Sequence, residues 1–305
     1  MITTFGGGVG AGKFLQGLYG LMAKEDLNIV VNTADDINIF DVRVSPDIDS
    51  VLYWLSGIVD KKKGWGIKGD TFEFLKKQKK SESWFNLGDK DLKENLEKSL
   101  LIKGGMTLQE VVDIQRKKLK ITKARIFPMT NDIVETHIKI GEKEIHFQEY
   151  LIKLKMKPKV DKIIFRNIRK SKPANGLIDC ILNSKLLIFC PSNPIISIDP
   201  ILSVPGIQKA IKQSKGVKVA ISPIVNQKAF KGPVLQLMKA KKLEPSVLGV
   251  VKFYREIVNY IMIDDLDKKH TDKIYSAGII PLINDIKMVN IKVSESMAQS
   301  ILNLI

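Results

Sequence analysis

The chain opens with a short apolar segment, residues 1–5, that runs directly into five glycines within residues 6–12. A strand, a glycine-rich turn and a helix in this order bring backbone N–H groups up to a phosphate. Residues 14–24 then carry apolar side chains at helical spacing, and residues 27–33 read as a buried parallel strand. The chain therefore begins β-turn-α-β, which is typical of nucleotide-binding α/β folds.

The glycine segment is close to two known phosphate-binding patterns and completes neither. As a P-loop, GGVGAGK at 7–13 lacks the Ser or Thr that ligates magnesium, because Phe14 follows. As a dinucleotide fingerprint, G-x-G-x-x-A at 6–11 fits, and Asp35 or Asp36 is the acidic residue that follows the second strand. The structural alternative is that the glycines only let a helix pack closely on a strand. We favour an anion or nucleotide site.

Two further apolar runs, 186–190 and 217–221, are typical of buried parallel strands. Each ends in a polar corner, as the second strand does, and these corners contain Asn32, Ser192, Asn193 and Ser222. In open α/β sheets, ligands bind in the crevice beyond the carboxyl ends of the strands. We therefore expect these side chains to meet at one edge of the sheet.

The remaining pattern predicts one α/β domain over 1–305 with a helical insertion at about 71–122. Within the insertion, Thr107 and Glu110 form a predicted capping box. A β-hairpin is predicted from 137–140 and 144–147, with helices at 47–58, at 254–258 and at the end of the chain, 296–305.

Two pairs of carboxylates follow the second strand, Asp35 with Asp36 and Asp47 with Asp49. Carboxylates at this spacing share a hard cation when they meet a phosphate, and Mg²⁺ takes only one or two of them. For Asp47 an alternative is the N-cap of the helix that starts beside Pro46. That alternative does not explain Asp35 and Asp36, which lie in the crevice position.

The net charge of +16 raises the question of nucleic-acid binding, but only six of the 49 basic residues are Arg. The lysines are spread along the chain without interleaved aromatic residues, so a solvated Lys-rich surface is the better explanation. No apolar run reaches the roughly 20 residues that span a bilayer. With two cysteines in apolar surroundings and no signal-peptide pattern, we expect a cytoplasmic protein without nucleic-acid or membrane partners.

The chain resembles the CofD family, the 2-phospho-L-lactate transferases of coenzyme F-420 biosynthesis. The strings that carry the resemblance follow the family's order and span nearly the whole chain: GGVGAGK at 7–13, VVNTADD at 30–36, SPDIDSVLY at 45–53, GWGIKGDTF at 64–72, WFNLGDKD at 84–91, PMTND at 128–132, HFQEY at 146–150, PSNPIISI at 191–198, SPIV at 222–225 and KGP at 231–233.

The resemblance implies a Rossmann-like three-layer α/β/α fold with a mostly parallel sheet. It implies an enzyme that transfers a 2-phospholactyl or phosphoenolpyruvyl group from a guanylylated diphospho donor to the ribityl hydroxyl of the deazaflavin FO. GMP is released and F-420-0 or its dehydro form results. Mg²⁺ is the implied cofactor, and a homodimer is the implied assembly.

The resemblance also assigns roles to residues of this chain. Asp49 and Asp36 are the expected catalytic residues and the first choices for Mg²⁺ ligation, and one of them is expected to orient the attacking hydroxyl. Donor binding is expected from Gly7, Gly8, Gly10, Lys13, Asn32, Ser192, Asn193 and Ser222. Metal binding is expected from Asp35, Asp36, Asp47 and Asp49. Acceptor binding is expected from Asp49, Asn86, Asp89, Lys90 and Asp91. For Lys13, the alternative is a solvated helix residue.

The chain departs from the family pattern at Lys90 and Asn95, where Arg and His are usual, and at Cys190 and Asp199, where Gly is usual. Lys90 keeps the charge of Arg but loses its bidentate geometry. The competing function is a non-catalytic nucleotide or nucleotide-sugar sensor of the wider superfamily. A P-loop kinase is disfavoured by Phe14, and a nucleic-acid binder by the dispersed lysines.

Overall fold

A computed structural model of the chain describes residues 1–79, 83–229 and 232–305. Residues 80–82 of the predicted helical insertion and Lys231 of the KGP string lie outside the described residues. The strands are β1 (Ile2–Gly6), β2 (Leu27–Val31), β3 (Ile37–Ile39), β4 (Val42–Val44), β5 (Ala124–Pro128), β6 (Glu135–Ile140), β7 (Lys143–His146), β8 (Lys162–Arg166), β9 (Leu186–Phe189), β10 (Val217–Ile221), β11 (Ile224–Val225), β12 (Lys228–Ala229), β13 (Tyr260–Asp264) and β14 (Ile280–Asn284).

The helices follow the same chain order. They are α1 (Gly8–Leu21), α2 (Pro46–Ser56), α3 (Glu73–Lys76), α4 (Asp89–Lys103), α5 (Leu108–Lys118), α6 (Leu177–Leu182), α7 (Asp199–Ser203), α8 (Ile207–Gln213), α9 (Val234–Ala240), α10 (Val247–Tyr254), α11 (Thr271–Ser276) and α12 (Ile291–Leu302). Short π-helical turns lie at Glu149–Lys153 and Pro194–Ile198, and 3₁₀ turns lie at Ile168–Lys170 and Asp265–His270.

In the described part of the chain, seven parallel strands form the main sheet in the order β14-β13-β10-β9-β1-β2-β5. Both faces of this sheet are covered, which explains why its strands read as continuous apolar runs. Along β9, Leu186 and Ile188 pack into the core on one face, and Leu187 and Phe189 pack into the core on the other. The three-layer α/β/α prediction is therefore confirmed.

Helices α1, α2, α5 and α12 contribute to the core on the first face. Helices α6 to α11 contribute to the core on the second face, together with the antiparallel sheet β7-β6-β8. The predicted hairpin is β6–β7, with His137 opposite His146, and the third strand β8 was not predicted from the sequence. No helix of the described residues is long and apolar enough to cross a membrane.

The described part of the region 71–122 contains α3, α4 and α5. The capping box at the start of α5 is confirmed, since the Thr107 side chain accepts from the Glu110 N–H and Glu110 accepts from the Thr107 N–H at 2.8 Å. Helix α5 also packs on β5 and contributes Leu108 and Val112 to the first core, so it belongs to a helical layer of the fold.

Three sequence predictions need correction, and one strand of the main sheet was missed. Helix α1 begins at Gly8, inside the glycine segment, and α12 begins at Ile291, several residues before the predicted start. The helix predicted at 254–258 is wrong: α10 ends at Tyr254, and the positive φ of 69° at Glu256 is incompatible with its continuation. The strand β14 was missed because Pro281 interrupts its pattern, and an edge strand tolerates proline.

Candidate active site

The carboxyl ends of β9, β1 and β2 meet at one edge of the sheet, as the polar corners predicted. Hydrogen bonds connect two of these ends. The Gly7 N–H donates to Ser192 Oγ at 3.1 Å, and Ser192 Oγ donates to the Gly7 carbonyl at 2.9 Å. Ser192 thus holds the chain in place just before α1 begins.

Gly7 and Gly8 bring the start of α1 against the carboxylate of Asp47. A Cβ atom on Gly7 would lie 2.0 Å from Asp47 Oδ2, and a Cβ on Gly8 would lie 3.3 Å from Asp47 Oδ1. Gly8 also has φ +70°, a conformation that L residues with side chains rarely adopt. These two glycines therefore place the positive end of a 14-residue helix beside an acidic side chain.

Glycine is required at positions 10 and 12 for a different structural reason. A Cβ on Gly10 would lie 2.2 Å from the Pro191 carbonyl oxygen, and one on Gly12 would lie 2.3 Å from Trp54 Cδ1. For these two positions, close packing of α1 on the end of β9 and on α2 explains the glycine. Donor binding by Gly10 stays a prediction.

Asp47 lies in the first turn of α2, where Ser45 occupies the N-cap position, so the N-cap interpretation of Asp47 is wrong. Its Oδ2 accepts from Asn32 Nδ2 at 3.0 Å, and Asn32 Oδ1 accepts from the Ala34 N–H at 3.0 Å. Burial raises the pKa of Asp47 to about 7. Asn32 thus joins the end of β2 to the start of α2.

Asp36 is held by one carboxylate oxygen. Its Oδ2 accepts from Arg43 Nε at 3.0 Å and from Ser45 Oγ at 2.8 Å, and Arg43 Nη2 lies 2.9 Å from the same oxygen. Among the described residues, Asp36 Oδ1 and Asp35 Oδ1 are buried without a hydrogen-bond partner. Burial raises the pKa of both carboxyls, and the charge of Asp47 raises that of Asp35 further.

Asp49 faces a lysine from the helical region. Lys98 Nζ lies 3.2 Å from Asp49 Oδ1 and 3.4 Å from Oδ2, and the Lys98 side chain is fully buried. A lysine is almost never fully buried unless it is paired. The pair therefore connects α2 to α4 through a buried charge interaction.

Asp91 lies beside this pair in a second polar contact between α2 and α4. Its Oδ1 accepts from Tyr53 Oη at 2.8 Å and from Asn95 Nδ2 at 3.0 Å. Burial raises the pKa of Asp91 to about 7, with the Asp49 charge as the next cause. Asn95, where the family usually has His, thus orients this carboxyl.

The other predicted acceptor residues lie nearer the surface. Asn86 and Lys90 are exposed. The Asp89 carboxylate accepts from the backbone N–H groups of Glu73 at 2.8 Å and Phe74 at 2.9 Å, so it caps the short helix α3. Contact of these three residues with an acceptor stays a prediction.

Three predicted donor residues are engaged elsewhere. Lys13 Nζ donates to the Met288 carbonyl at 3.1 Å, and Ser222 Oγ donates to the Ile224 carbonyl at 2.9 Å. Asn193 Oδ1 accepts from a backbone N–H of the following turn, whereas its buried Nδ2 has no partner in the described structure. Of these three side chains, Asn193 retains a group that is free for a ligand.

The CofD family profile, described as 2-phospho-L-lactate transferase, matches residues 2–302. The chain belongs to the CofD family. It is 40% identical over 276 residues, 88% of each chain, to the 2-phospho-L-lactate transferase of Methanocaldococcus jannaschii. It is 37% identical over 295 residues, 93% of this chain and 94% of the relative, to that of Methanococcus maripaludis strain C5.

Other relatives are named for a different transferred group. The chain is 32% identical over 311 residues, 99% of this chain and 97% of the relative, to the phosphoenolpyruvate transferase of Streptomyces coelicolor. A solved structure of a UPF0052 family protein from Bacillus halodurans matches with a TM-score of 0.67 at 18% identity, covering 99% of both chains, which shows the fold. The protein is thus a CofD enzyme that transfers 2-phospholactate or phosphoenolpyruvate in coenzyme F-420 biosynthesis.

The acidic residues fit the Mg²⁺ that the CofD family implies. Within residues 1–79, 83–229 and 232–305, no group of three or more acidic, His or Cys side chains is arranged to hold a metal ion. Mg²⁺ needs only one or two carboxylates, with water and substrate oxygens as its other ligands. The unpartnered oxygens of Asp35 and Asp36 are of the type that suits Mg²⁺, and metal binding by this chain stays a prediction.

Sequence reasoning gave no role to several side chains that shape this CofD site. Tyr53, His146 and Gln148 lie in strings that carry the resemblance, whereas Arg43 and Lys98 lie outside them. For Lys98 a signal was present, because Asp91, Asn95 and Lys98 lie at helical spacing along one side of α4. Nothing in the local pattern showed that this side would be buried.

Proposed function

We propose that the enzyme moves the phospho-acid unit from a guanylylated diphospho donor to the terminal ribityl hydroxyl of FO, with release of GMP. The observation that carries this proposal is the pair of unpartnered, buried carboxylate oxygens on Asp35 and Asp36 in the loop after β2, together with the Asp47 carboxylate against the start of α1. A helix start binds a diphosphate, and buried carboxylates beside it bind the cation that a diphosphate brings. The product is F-420-0 or its dehydro form.

The start of α1 is the proposed diphosphate site. Its first turn contains no acidic residue, and backbone N–H groups there are available to an anion. The Asp47 carboxylate beside Gly7 repels an anion at this place, so a cation is needed to offset that repulsion. Asn32 keeps Asp47 in position through its side-chain amide.

Asp35 and Asp36 are the proposed holders of Mg²⁺. When bound, Mg²⁺ neutralises the charge that develops on the diphosphate oxygens as GMP leaves. Arg43 and Ser45 fix one oxygen of Asp36 and leave the other free. The two free oxygens come from adjacent residues, which suits a cation that takes only one or two carboxylates.

Asp49 is the proposed partner of the attacking hydroxyl. Both of its oxygens lie within 3.4 Å of the Lys98 ammonium, which competes with a metal for the same carboxylate. A primary alcohol is almost never ionised at neutral pH, so a carboxylate that accepts its proton assists the attack. We therefore assign the metal to Asp35 and Asp36, and the acceptor hydroxyl to Asp49.

The experiment is to incubate the protein with FO, Mg²⁺ and each guanylylated donor in turn, lactyl and enolpyruvyl, and to identify products by mass spectrometry. We expect GMP together with F-420-0 from the lactyl donor or dehydro-F-420-0 from the enolpyruvyl donor. Absence of product with both donors, with nucleotide still bound, would instead support the sensor. The cytoplasmic location and the homodimer stay predictions alongside this proposal.

A further inference from the structure

Three consecutive backbone carbonyl groups in the loop after β2, at residues 34–36, form hydrogen bonds with one distant segment of the chain. We call residues 34–36 the acidic loop. The Thr136 N–H donates to the Ala34 carbonyl at 2.6 Å. Gln148 Nε2 donates to the Asp35 carbonyl at 3.0 Å, and His146 Nε2 lies 3.1 Å from the Asp36 carbonyl oxygen. We call Thr136, His146 and Gln148 the carbonyl clamp.

The orientation of the His146 ring in the clamp is fixed by a second hydrogen bond. His146 Nδ1 accepts from the Gln148 N–H at 3.1 Å. A neutral imidazole that accepts at one nitrogen carries its hydrogen on the other, so Nε2 is the donor to Asp36. The side chain of Gln148 and the ring of His146 thus act on neighbouring peptide groups.

The acidic loop requires such a constraint because two consecutive residues of it carry buried carboxyl groups. Asp35 is 4% exposed and Asp36 is 7% exposed, and each presents an unpartnered oxygen within the described structure. Two buried like charges repel, and a mobile backbone would let them turn apart. Fixing both carbonyls fixes the direction in which both side chains leave the main chain.

We propose that His146 and Gln148 are positioning residues for the reaction, which hold the Asp35 and Asp36 carboxylates in the geometry that binds Mg²⁺. This inference rests on the proposed function, in which these two carboxylates hold the metal. Removal of a group that orients a metal ligand in this way lowers metal affinity or activity by about 10- to 100-fold. The simpler role is to satisfy buried carbonyl groups, which affects stability alone.

The His146→Asn and His146→Gln variants separate the two roles. Asn places an acceptor near the position of Nδ1 and removes the donor to the Asp36 backbone carbonyl. Gln instead places a donor at the position of Nε2, where it can still reach that carbonyl. Gln148→Met removes the donor to the Asp35 backbone carbonyl and keeps nearly the same side-chain length. The control is Asp161→Ala, which removes the 2.7 Å hydrogen bond that Asp161 accepts from the Gly141 N–H. These two residues flank the end of the β6–β8 pair opposite to the end that contains Thr136.

Two quantities are measured for each variant: the rise in Tm of the substrate-free protein across a MgCl₂ titration, and the MgCl₂ concentration at half-maximal transferase rate. We expect His146→Asn and Gln148→Met to raise both Mg²⁺ midpoints about 10- to 100-fold. His146→Gln should stay within about threefold of wild type. Asp161→Ala should lower Tm without moving either midpoint.

The inference is overturned if His146→Asn and Gln148→Met lower Tm as the control does while their Mg²⁺ midpoints stay at the wild-type value. It is also overturned if MgCl₂ has no effect on the Tm of the wild-type protein. A wild-type protein that makes no product contradicts the proposed function instead, and the Tm titration then still tests the clamp.

Discussion

Replacement of Gly7 by Ala should impair the site through a steric clash. The new Cβ would lie 2.0 Å from Asp47 Oδ2, 2.4 Å from its Cγ and 2.8 Å from its Cβ. Carbon contacts need roughly 3.5 Å, so a rotamer change of Asp47 does not relieve the clash and the start of α2 must shift by up to about 1 Å. Gly7 has φ −170°, so backbone strain plays no part.

The expected cost of this overpacking is about 1–3 kcal/mol in the free energy of unfolding. A displacement of about 1 Å at a reacting group costs roughly 100-fold in rate, so kcat for GMP release should fall by about that factor. Urea denaturation and steady-state kinetics with FO, donor and Mg²⁺ measure the two effects.

Gly20→Ala is the matched control, because Gly20 lies in the same helix and its added Cβ would meet only Glu295 Oε1, at 3.7 Å. This variant should gain about 0.5–1 kcal/mol of stability from helix propensity and keep wild-type kinetics. Wild-type kcat and stability in Gly7→Ala would refute the steric reasoning, since they would show that α1 and Asp47 separate freely.

Three further changes test other parts of the structure. Lys98→Met leaves Asp49 buried without its partner and should lower the free energy of unfolding, measured in urea, by about 3–5 kcal/mol. The double variant Lys98→Met with Asp49→Leu should recover most of that loss, and an equal loss in the single and double variants would contradict a buried ion pair. Arg43→Lys keeps the charge beside Asp36 but loses one of two N–H contacts, and should raise the Mg²⁺ midpoint of the rate about tenfold, with an unchanged midpoint as the opposing result. Thr107→Ala removes the capping box and should cost about 1 kcal/mol in thermal unfolding while kcat is unchanged. A loss of activity would contradict a purely local role for this cap.

Much of the fold follows from local pattern. Apolar runs that end in polar residues identified the parallel strands, and the carboxyl-end rule placed Asn32 and Ser192 at one edge. The hairpin and the capping box also depend on residues close in sequence. The strands, the hairpin and the capping box are each decided within a few residues, so the sequence contains what is needed to predict them.

The electrostatic partners of the site depend on long-range packing instead. Lys98 reaches Asp49 across 49 positions, and His146 reaches the Asp36 carbonyl across 110 positions. A lysine in a polar helix is ordinarily exposed to solvent, and only the packing of α4 against α2 buries Lys98. For the same reason, sequence spacing did not separate the glycines that face Asp47 from Gly10, which faces Pro191.

The most direct test of the central claim is Asp35→Asn. This variant removes one unpartnered carboxylate oxygen and, within the described contacts, breaks no ion pair. FO-dependent GMP release is measured across a MgCl₂ titration, with Tm as the folding control. We predict a fall in rate of about 10- to 100-fold at fixed Mg²⁺ with Tm equal to or above wild type. Full wild-type turnover at the same Mg²⁺ midpoint would contradict the assignment of the metal to this pair of carboxylates.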